Sequence, residues 1–184
     1  MASDGLPEPS GGFFRPVALC FLFDSFPAGA PGAIGPDARP VRRVLLGLKK
    51  TGFGTGRIVA LGGKLEPGES AAQAAAREVF EEAGLRVEGG DLTFLGTVTW
   101  DFPARPDFNM IGSIFTAERY TGTLDASDEV DPEWFPEDAL PWDGMWEDAA
   151  SWVPLVVEGE PFTASITLRD DNEGVETAVV RTSR

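Results

Sequence analysis

The chain has 184 residues, 42% of them hydrophobic, with 30 acidic against 15 basic side chains and a net charge of −15. That length and apolar content fit one globular domain rather than a disordered chain, and the acidity excludes non-specific binding of polymeric nucleic acid, which needs a basic surface. There is no histidine and one cysteine, which removes histidine-based zinc sites, Ser-His-Asp and Cys-His triads, and any internal disulfide.

Residues 1–12 are rich in Gly, Pro and Ser and are expected to form a loose arm ahead of one domain spanning 13–184. A strand follows at Pro16–Phe23, where Cys20 sits in the apolar run VALCFLF as a small buried hydrophobe. This run lacks a basic leader and is interrupted by Arg15 and Pro16, so it is a core strand rather than a signal peptide. No stretch approaches the roughly 18 apolar residues of a membrane span. The expectation is a cytoplasmic protein without a membrane partner; the oligomeric state is not legible.

Residues 24–41 form a Gly/Pro-rich insertion with no helical or strand period, expected to be disordered. RRVLLGLK is a second strand, suited to pair with the first. KKTGFGTGR is a glycine-rich loop, and RIVALGGK is an extended run entering a turn at Gly62-Gly63. A helix is predicted over Ser70–Ala83. Strands follow at Leu92–Phe102 and Asn109–Tyr120, joined by the turn PARPDF. Asp128–Phe135 is partly extended, and PEDAL (Pro136–Leu140) suggests a short helix. Ala149–Val157 looks helical despite Pro154. Strands at Phe162–Leu168 and Glu176–Arg181 close the chain. The order implies an α/β (α+β) fold, a mixed sheet with helices packed on it.

The helix carries the chemistry. Ser70 and Gln73 have the spacing of a capping box, and Gly84 suits the left-handed residue that ends a helix. At about 100° per residue, Ala72, Ala76, Val79, Phe80 and Ala83 share one side and Glu78, Glu81 and Glu82 the other. Glu78 and Glu82 are a like-charge pair four apart, worth roughly 0.2–0.5 kcal/mol of destabilisation. Two of the acids also lie near the helix C-terminus, which disfavours anions. Such a face is either a solvated acidic surface or a seat for a hard cation. Gly62-Gly63 favours the second, because a backbone without Cβ comes close to whatever the helix faces. Mg²⁺ and Mn²⁺ prefer such oxygen donors.

Gly63, Glu69, Arg77-Glu78-Val79, Glu81-Glu82 and Gly84-Leu85 match every defining position of the Nudix box in type and spacing. On these residues the chain resembles the Nudix hydrolases. The resemblance implies a mixed β-sheet sandwiched between helices and hydrolysis of a nucleoside diphosphate linked to another group. It implies that Glu78, Glu81, Glu82 and the carbonyl of Gly62 hold Mg²⁺, with Mn²⁺ as a substitute. Arg77 would orient a glutamate, and Glu69 would brace the loop against the helix.

From about 41 to 167, RRVLLGLKKTGFGTGR, Asp101-Phe102, SDEVDPEWF and MWEDAASWVPL are similar to MutT-type oxidised-purine nucleoside triphosphatases. That likeness implies release of nucleoside monophosphate and pyrophosphate from a small-molecule nucleotide. It puts a further metal-binding or basic glutamate at Glu129, which with Glu78 is a candidate proton acceptor. It puts Phe53, Trp100 and Trp146 around the base and Asp148 on the base edge. Lys64, and more weakly Arg57, would touch phosphate; Glu66 is either loop surface or site. Trp134, Trp142 and Trp152 are read as packing residues. Two positions depart from the animal members of that group: Val59 replaces an asparagine and Ala149 replaces a second aspartate. Both changes remove groups that would read a purine edge, and Asn109 is the candidate replacement. Two alternatives stay open: another nucleoside diphosphate derivative as substrate, such as a dinucleoside polyphosphate or nucleotide sugar, or an inactive nucleotide-sensing module.

Overall fold

Strand β1 (Arg15–Phe26) sits at the middle of the sheet and is apolar on both faces. Val17, Phe21 and Phe23 point into one core; Ala18, Cys20 and Leu22 point into the other. That is why VALCFLF shows no alternation: a strand covered on both faces has no solvent side. Burial pushes the Cys20 thiol up to about 12. The computed structural model describes residues 12–26 and 41–182. Nearly all of the arm expected over 1–12, and most of the insertion expected over 24–41, lie outside the described residues.

β1 runs parallel to β7 (Met110–Ala117) on one edge. Its other edge is divided. Leu22–Phe26 pairs antiparallel with β2 (Val41–Lys49), and Val17–Cys20 pairs with β4 (Leu61–Lys64). β2 also pairs with β3 (Ile58–Val59) and β9 (Val130–Pro136). Beyond β7 come β6 (Thr93–Asp101), then β10 (Phe162–Leu168) parallel to it, then β11 (Val175–Thr182). A separate small ribbon joins β5 (Leu85–Arg86) to β8 (Thr121–Gly122), two strands the sequence pattern did not show. Helix α1 (Ala71–Ala83) covers the face holding Ala18, Cys20 and Leu22; α2 (Ala149–Glu158) covers the face holding Val17 and Phe21. Among the described residues no helix is long and apolar enough to cross a membrane.

α1 begins with Ser70 accepting the backbone N–H of Gln73 while the Gln73 side chain accepts that of Ser70, and it ends at Gly84 with φ 70°. Its faces differ from the expectation. Ala74, Ala75, Val79, Glu82 and Ala83 are buried, whereas Phe80 is exposed beneath the Arg86 guanidinium. The buried stripe is rotated towards the acids. PEDAL is a turn, not a helix: Pro136 still belongs to β9, Ala139 donates to the Pro136 carbonyl, and Pro141 disfavours helical backbone at Leu140. A 3₁₀ turn forms instead at Trp142–Gly144. α2 accommodates Pro154 and reaches Glu158 before its left-handed cap, Gly159.

Gly62-Gly63 is not a turn. Both residues lie within β4, opposite Leu19 and Ala18 of β1. Gly62 has φ 151°, and a Cβ there would stand 2.2 Å from the carbonyl oxygen of Ala18. Backbone cannot give way as a side chain does, so Gly62→Ala is expected to lower unfolding stability by about 3 kcal/mol. Denaturant titration of the two proteins measures it; equal midpoints would mean this approach is not tight.

Candidate active site

A cavity of about 750 Å³ lies on the α2 side of the sheet, floored by Val17, Leu19 and Phe21. Glu78 and Glu82, from the helix on the opposite face, border it too. They do so across β4, where Gly62 and Gly63 carry no side chains. At Gly63 a Cβ would stand 2.3 Å from Glu78 Oε1, so only glycine leaves that carboxylate its place.

Arg77 organises the acidic end. Its Nε and Nη2 donate to the two oxygens of Glu69 at 3.0 Å each, and its Nη1 donates to Glu78 and Glu81 at 2.9 Å. Nη2 also donates to the carbonyl of Lys64. Glu69 accepts the Glu66 N–H, so the arginine fork locks the loop before α1 to the helix. This hydrogen bonding holds Glu69 below the usual carboxylate range. Glu82 is 5% exposed and accepts the backbone N–H of Gly62 at 2.8 Å. Lys49 Nζ stands 3.7 Å from Glu82 and 3.8 Å from Glu129.

Burial drives Glu82 up to about 7; the Gly62 N–H and Lys49 oppose this, while Glu78 and Glu129 reinforce it. Burial also raises Glu78, despite its bond to Arg77. In ion-pair contact, two cations serve five carboxylates here: Glu69, Glu78, Glu81, Glu82 and Glu129. Among the described residues no three carboxylates are gathered to share an ion as they stand. The all-oxygen donor set and its excess negative charge nevertheless fit a hard divalent cation.

The other end is aromatic. Phe53, 42% exposed, stacks on Trp146 at 5.4 Å and 16°, and touches Phe102 and Phe108. Asp148 is buried, and its Oδ2 accepts both indole N–H groups, Trp100 at 2.7 Å and Trp152 at 2.8 Å. Burial raises Asp148 in spite of these two donors. Trp100 borders the cavity, but its polar atom is committed to Asp148.

Glu78, Glu82, Glu129, Gly62, Arg77, Lys64, Glu66, Phe53, Trp100, Trp146 and Asp148 therefore all border one cavity. Glu81 does not; more than half exposed, it meets the group through Arg77. The Gly62 contact seen is its N–H to Glu82. Asn109 is outside the cavity lining, and its side-chain oxygen accepts the Phe102 N–H to brace the 102–109 turn. Arg57 is likewise outside it, paired with Glu173 and lying over the Trp146 ring. Trp152 joins both the core and the cavity wall, Trp134 packs on Tyr120, and Trp142 is exposed. Lys49, Met110, Met145 and Asn172 border the cavity without having been singled out. Lys49 ends a strand beside the glycine loop, which was a readable hint; the others look like core or turn residues until the chain is folded.

The helix carrying Arg77 and its glutamates falls within the span matched by a family model described as NUDIX domain, residues 33–156. The chain belongs to that family. It is 37% identical over 131 residues to the oxidized purine nucleoside triphosphate hydrolase of Mus musculus, spanning 71% of this chain and 82% of that protein. It is 42% identical over 120 residues to the protein of the same name from Danio rerio, spanning 65% and 75%. Among solved structures, a MutT protein from Bacillus halodurans superposes with a TM-score of 0.69 at 22% identity, covering 91% of this chain and 97% of that one, which shows a shared fold.

The acidic end should leave a signature in stability. Folded Glu82 keeps its proton to about pH 7, whereas its ordinary value is 4.5. Between those values the folded state binds the proton more tightly, so unfolding stability falls as pH rises and levels off above pH 7. Glu78 and Asp148, raised as well, add to the same limb. The slope approaches about 1.4 kcal/mol per pH unit for one such group. Urea titrations in EDTA from pH 5 to 8 should show the decline, and Glu82→Gln should flatten most of it; a variant with the parent's slope would place the titration elsewhere.

Proposed function

We propose that this chain is a divalent-cation-dependent hydrolase that cleaves oxidised purine nucleoside triphosphates to nucleoside monophosphate and pyrophosphate. The observation that carries the reading is the continuity of one cavity from the carboxylates of α1 to Asp148 and the Phe53–Trp146 stack. A nucleotide has the same polarity, with a polyanion at one end and a flat ring at the other. The names of the mouse and zebrafish relatives support the same substrate class.

Glu78, Glu81, Glu82 and the carbonyl of Gly62 are the groups that would hold Mg²⁺ or Mn²⁺. When bound, such an ion neutralises polyphosphate charge and makes water a stronger nucleophile. The chain's own residues prepare the site. Arg77, held by Glu69, fixes Glu78 and Glu81; the Gly62 N–H fixes Glu82. Glu129 borders the cavity, is mostly exposed, and has only a loose ion pair to Lys49 at 3.8 Å. Glu78 is already engaged by Arg77, so Glu129 is the better proton acceptor. Lys49 and Lys64, both on the cavity wall, offer cations to the phosphate chain. At the far end Phe53 and Trp146, stacked on each other, supply an aromatic wall for a flat ring, and Asp148 presents a carboxyl held in place by two indoles.

Val59 and Ala149 border the cavity as apolar groups, and this favours a second reading, a nucleoside diphosphate derivative whose head group is not an oxidised purine. Pyrophosphate release against normal and oxidised purine triphosphates, a dinucleoside polyphosphate and a nucleotide sugar decides between them. The expected result is Mg²⁺-dependent formation of monophosphate and pyrophosphate, fastest with an oxidised purine. Cleavage of the other derivatives alone would replace the first reading with the second. Glu81→Gln should reduce turnover about a hundredfold with an unchanged melting temperature, since Glu81 is exposed; near-normal turnover would remove Glu81 from the ion site.

A further inference from the structure

Trp100, Trp146 and Trp152 border the cavity, and their rings are held in different ways. Trp100 and Trp152 donate their indole N–H groups to Asp148, which fixes both. Trp146 sits in the irregular stretch between the 3₁₀ turn at Trp142–Gly144 and α2, where no strand or helix sets its direction. The glycine-rich loop packs against its ring. Phe53 stacks on it at 5.4 Å, and Gly54 lies so close that a Cβ would stand 3.3 Å from the ring. Arg57 closes the loop by donating its backbone N–H to the Gly54 carbonyl, and its guanidinium lies over the same ring, 4.9 Å from the centroid. Its Nη1 also donates to the carbonyl of Met145 at 3.4 Å.

The guanidinium is itself anchored. Its Nη2 pairs with Glu173 at 3.2 Å. Glu173 belongs to the hairpin turn between β10 and β11, beyond the span matched by the family model. Asp171 Oδ1 accepts the N–H groups of Glu173 and Gly174, and Arg169 donates its own N–H to the Gly174 carbonyl, which fixes the turn. The Arg169 side chain adds a second tether, meeting Glu147 at 3.0 Å. Exposed ion pairs add little to stability, and Glu173 is 65% exposed. Stability therefore does not account for their convergence. Arg57 reaches the residue before Trp146 and Arg169 the residue after it, so the same hairpin holds Trp146 from both sides.

We propose that Arg57 is a positioning residue for the base: anchored by Glu173, it holds the Trp146 ring in the orientation against which the base packs. The inference rests on the nucleotide reading above and deepens it. Arg57 is outside the cavity lining, so it acts through Trp146 rather than on the phosphate chain. A planar guanidinium suits this role, since it offers a face to an indole and edge N–H groups to a carboxylate and a carbonyl at once. A ring free to swing presents its wall to the base for only part of the time, which weakens binding of the ground state and the transition state alike. The bond that breaks lies at the other end of the cavity. The effect of losing Arg57 therefore falls on KM and spares kcat.

The test measures kcat and KM of the full chain with Mg²⁺ and 8-oxo-dGTP, in a cycle of Arg57→Gln, Trp146→Leu and the double variant. Arg57→Gln is expected to raise KM about threefold with kcat unchanged. KM does not depend on how much of a sample is folded, so partial loss of folded protein does not imitate this result. In the Trp146→Leu background the same substitution should have no further effect, because the ring it holds is gone. Glu173→Gln, also outside the cavity lining, should raise KM about twofold by loosening the anchor. An unchanged KM in Arg57→Gln or in Glu173→Gln, or an equal rise with and without Trp146, overturns the proposal and leaves the functional reading standing; the last result would put Arg57 in direct contact with the nucleotide. If the unsubstituted chain hydrolyses no purine nucleoside triphosphate, the functional reading fails and the inference goes with it.

Discussion

The site depends on how closely α1 lies against β4. Glu82, buried on the inner side of the helix, can exist there because the backbone N–H of Gly62 meets it at 2.8 Å. Glu78 can exist beside Gly63 because no Cβ occupies the space its carboxylate needs. A side chain at Gly63 would displace the Glu78 carboxylate, and one at Gly62 would strike the Ala18 carbonyl of β1. The same closeness sets their electrostatics. Drawn out of water and crowded together, Glu78 and Glu82 hold protons more tightly than free carboxylates do.

The sheet extends this local contact into a site. β1 changes partners along one edge, from β4 to β2, near Phe21. The strand's alternation puts Val17, Leu19 and Phe21 on the α2 face, where they floor the cavity. The helix that supplies the acids packs on the opposite face, and the glycine pair is where those acids gain access. One cavity thus draws its charged wall from one side of the sheet and its aromatic wall from the other. That separation keeps the carboxylates of α1 away from Phe53 and Trp146.

Much of this was legible because it is local. The capping box and the glycine stop depend on residues within a helical turn, and the Nudix spacing on one continuous run from Gly63 to Leu85; each is in place. The central strands were equally readable from their apolar runs. Failures came where distant partners decide. A helical wheel puts Glu82 on the solvent side, since nothing local reveals that Gly62 and Lys49 will meet it. Gly-Gly looks like a turn until a neighbouring strand needs the space. PEDAL has helical composition, but β9 extends into its proline and another proline follows. Asn109 and Asn172 are alike in sequence terms; folding makes one a backbone brace and brings the other to the cavity.

The charge imbalance gives the ion-free protein a particular character. Lys49 and Arg77 act as internal counter-ions, holding mutually repelling carboxylates in separate groups. They compensate only part of the charge, so the native state carries electrostatic strain that unfolding would release. A divalent cation binding the folded state alone would remove that strain and add its own stabilisation through mass action. On the proposed function, the helix would tolerate its like charges because they seat such an ion. Stability and affinity for the ion would then have one origin, and a substitution that relaxes the ion-free protein at this position would also weaken its hold on the ion.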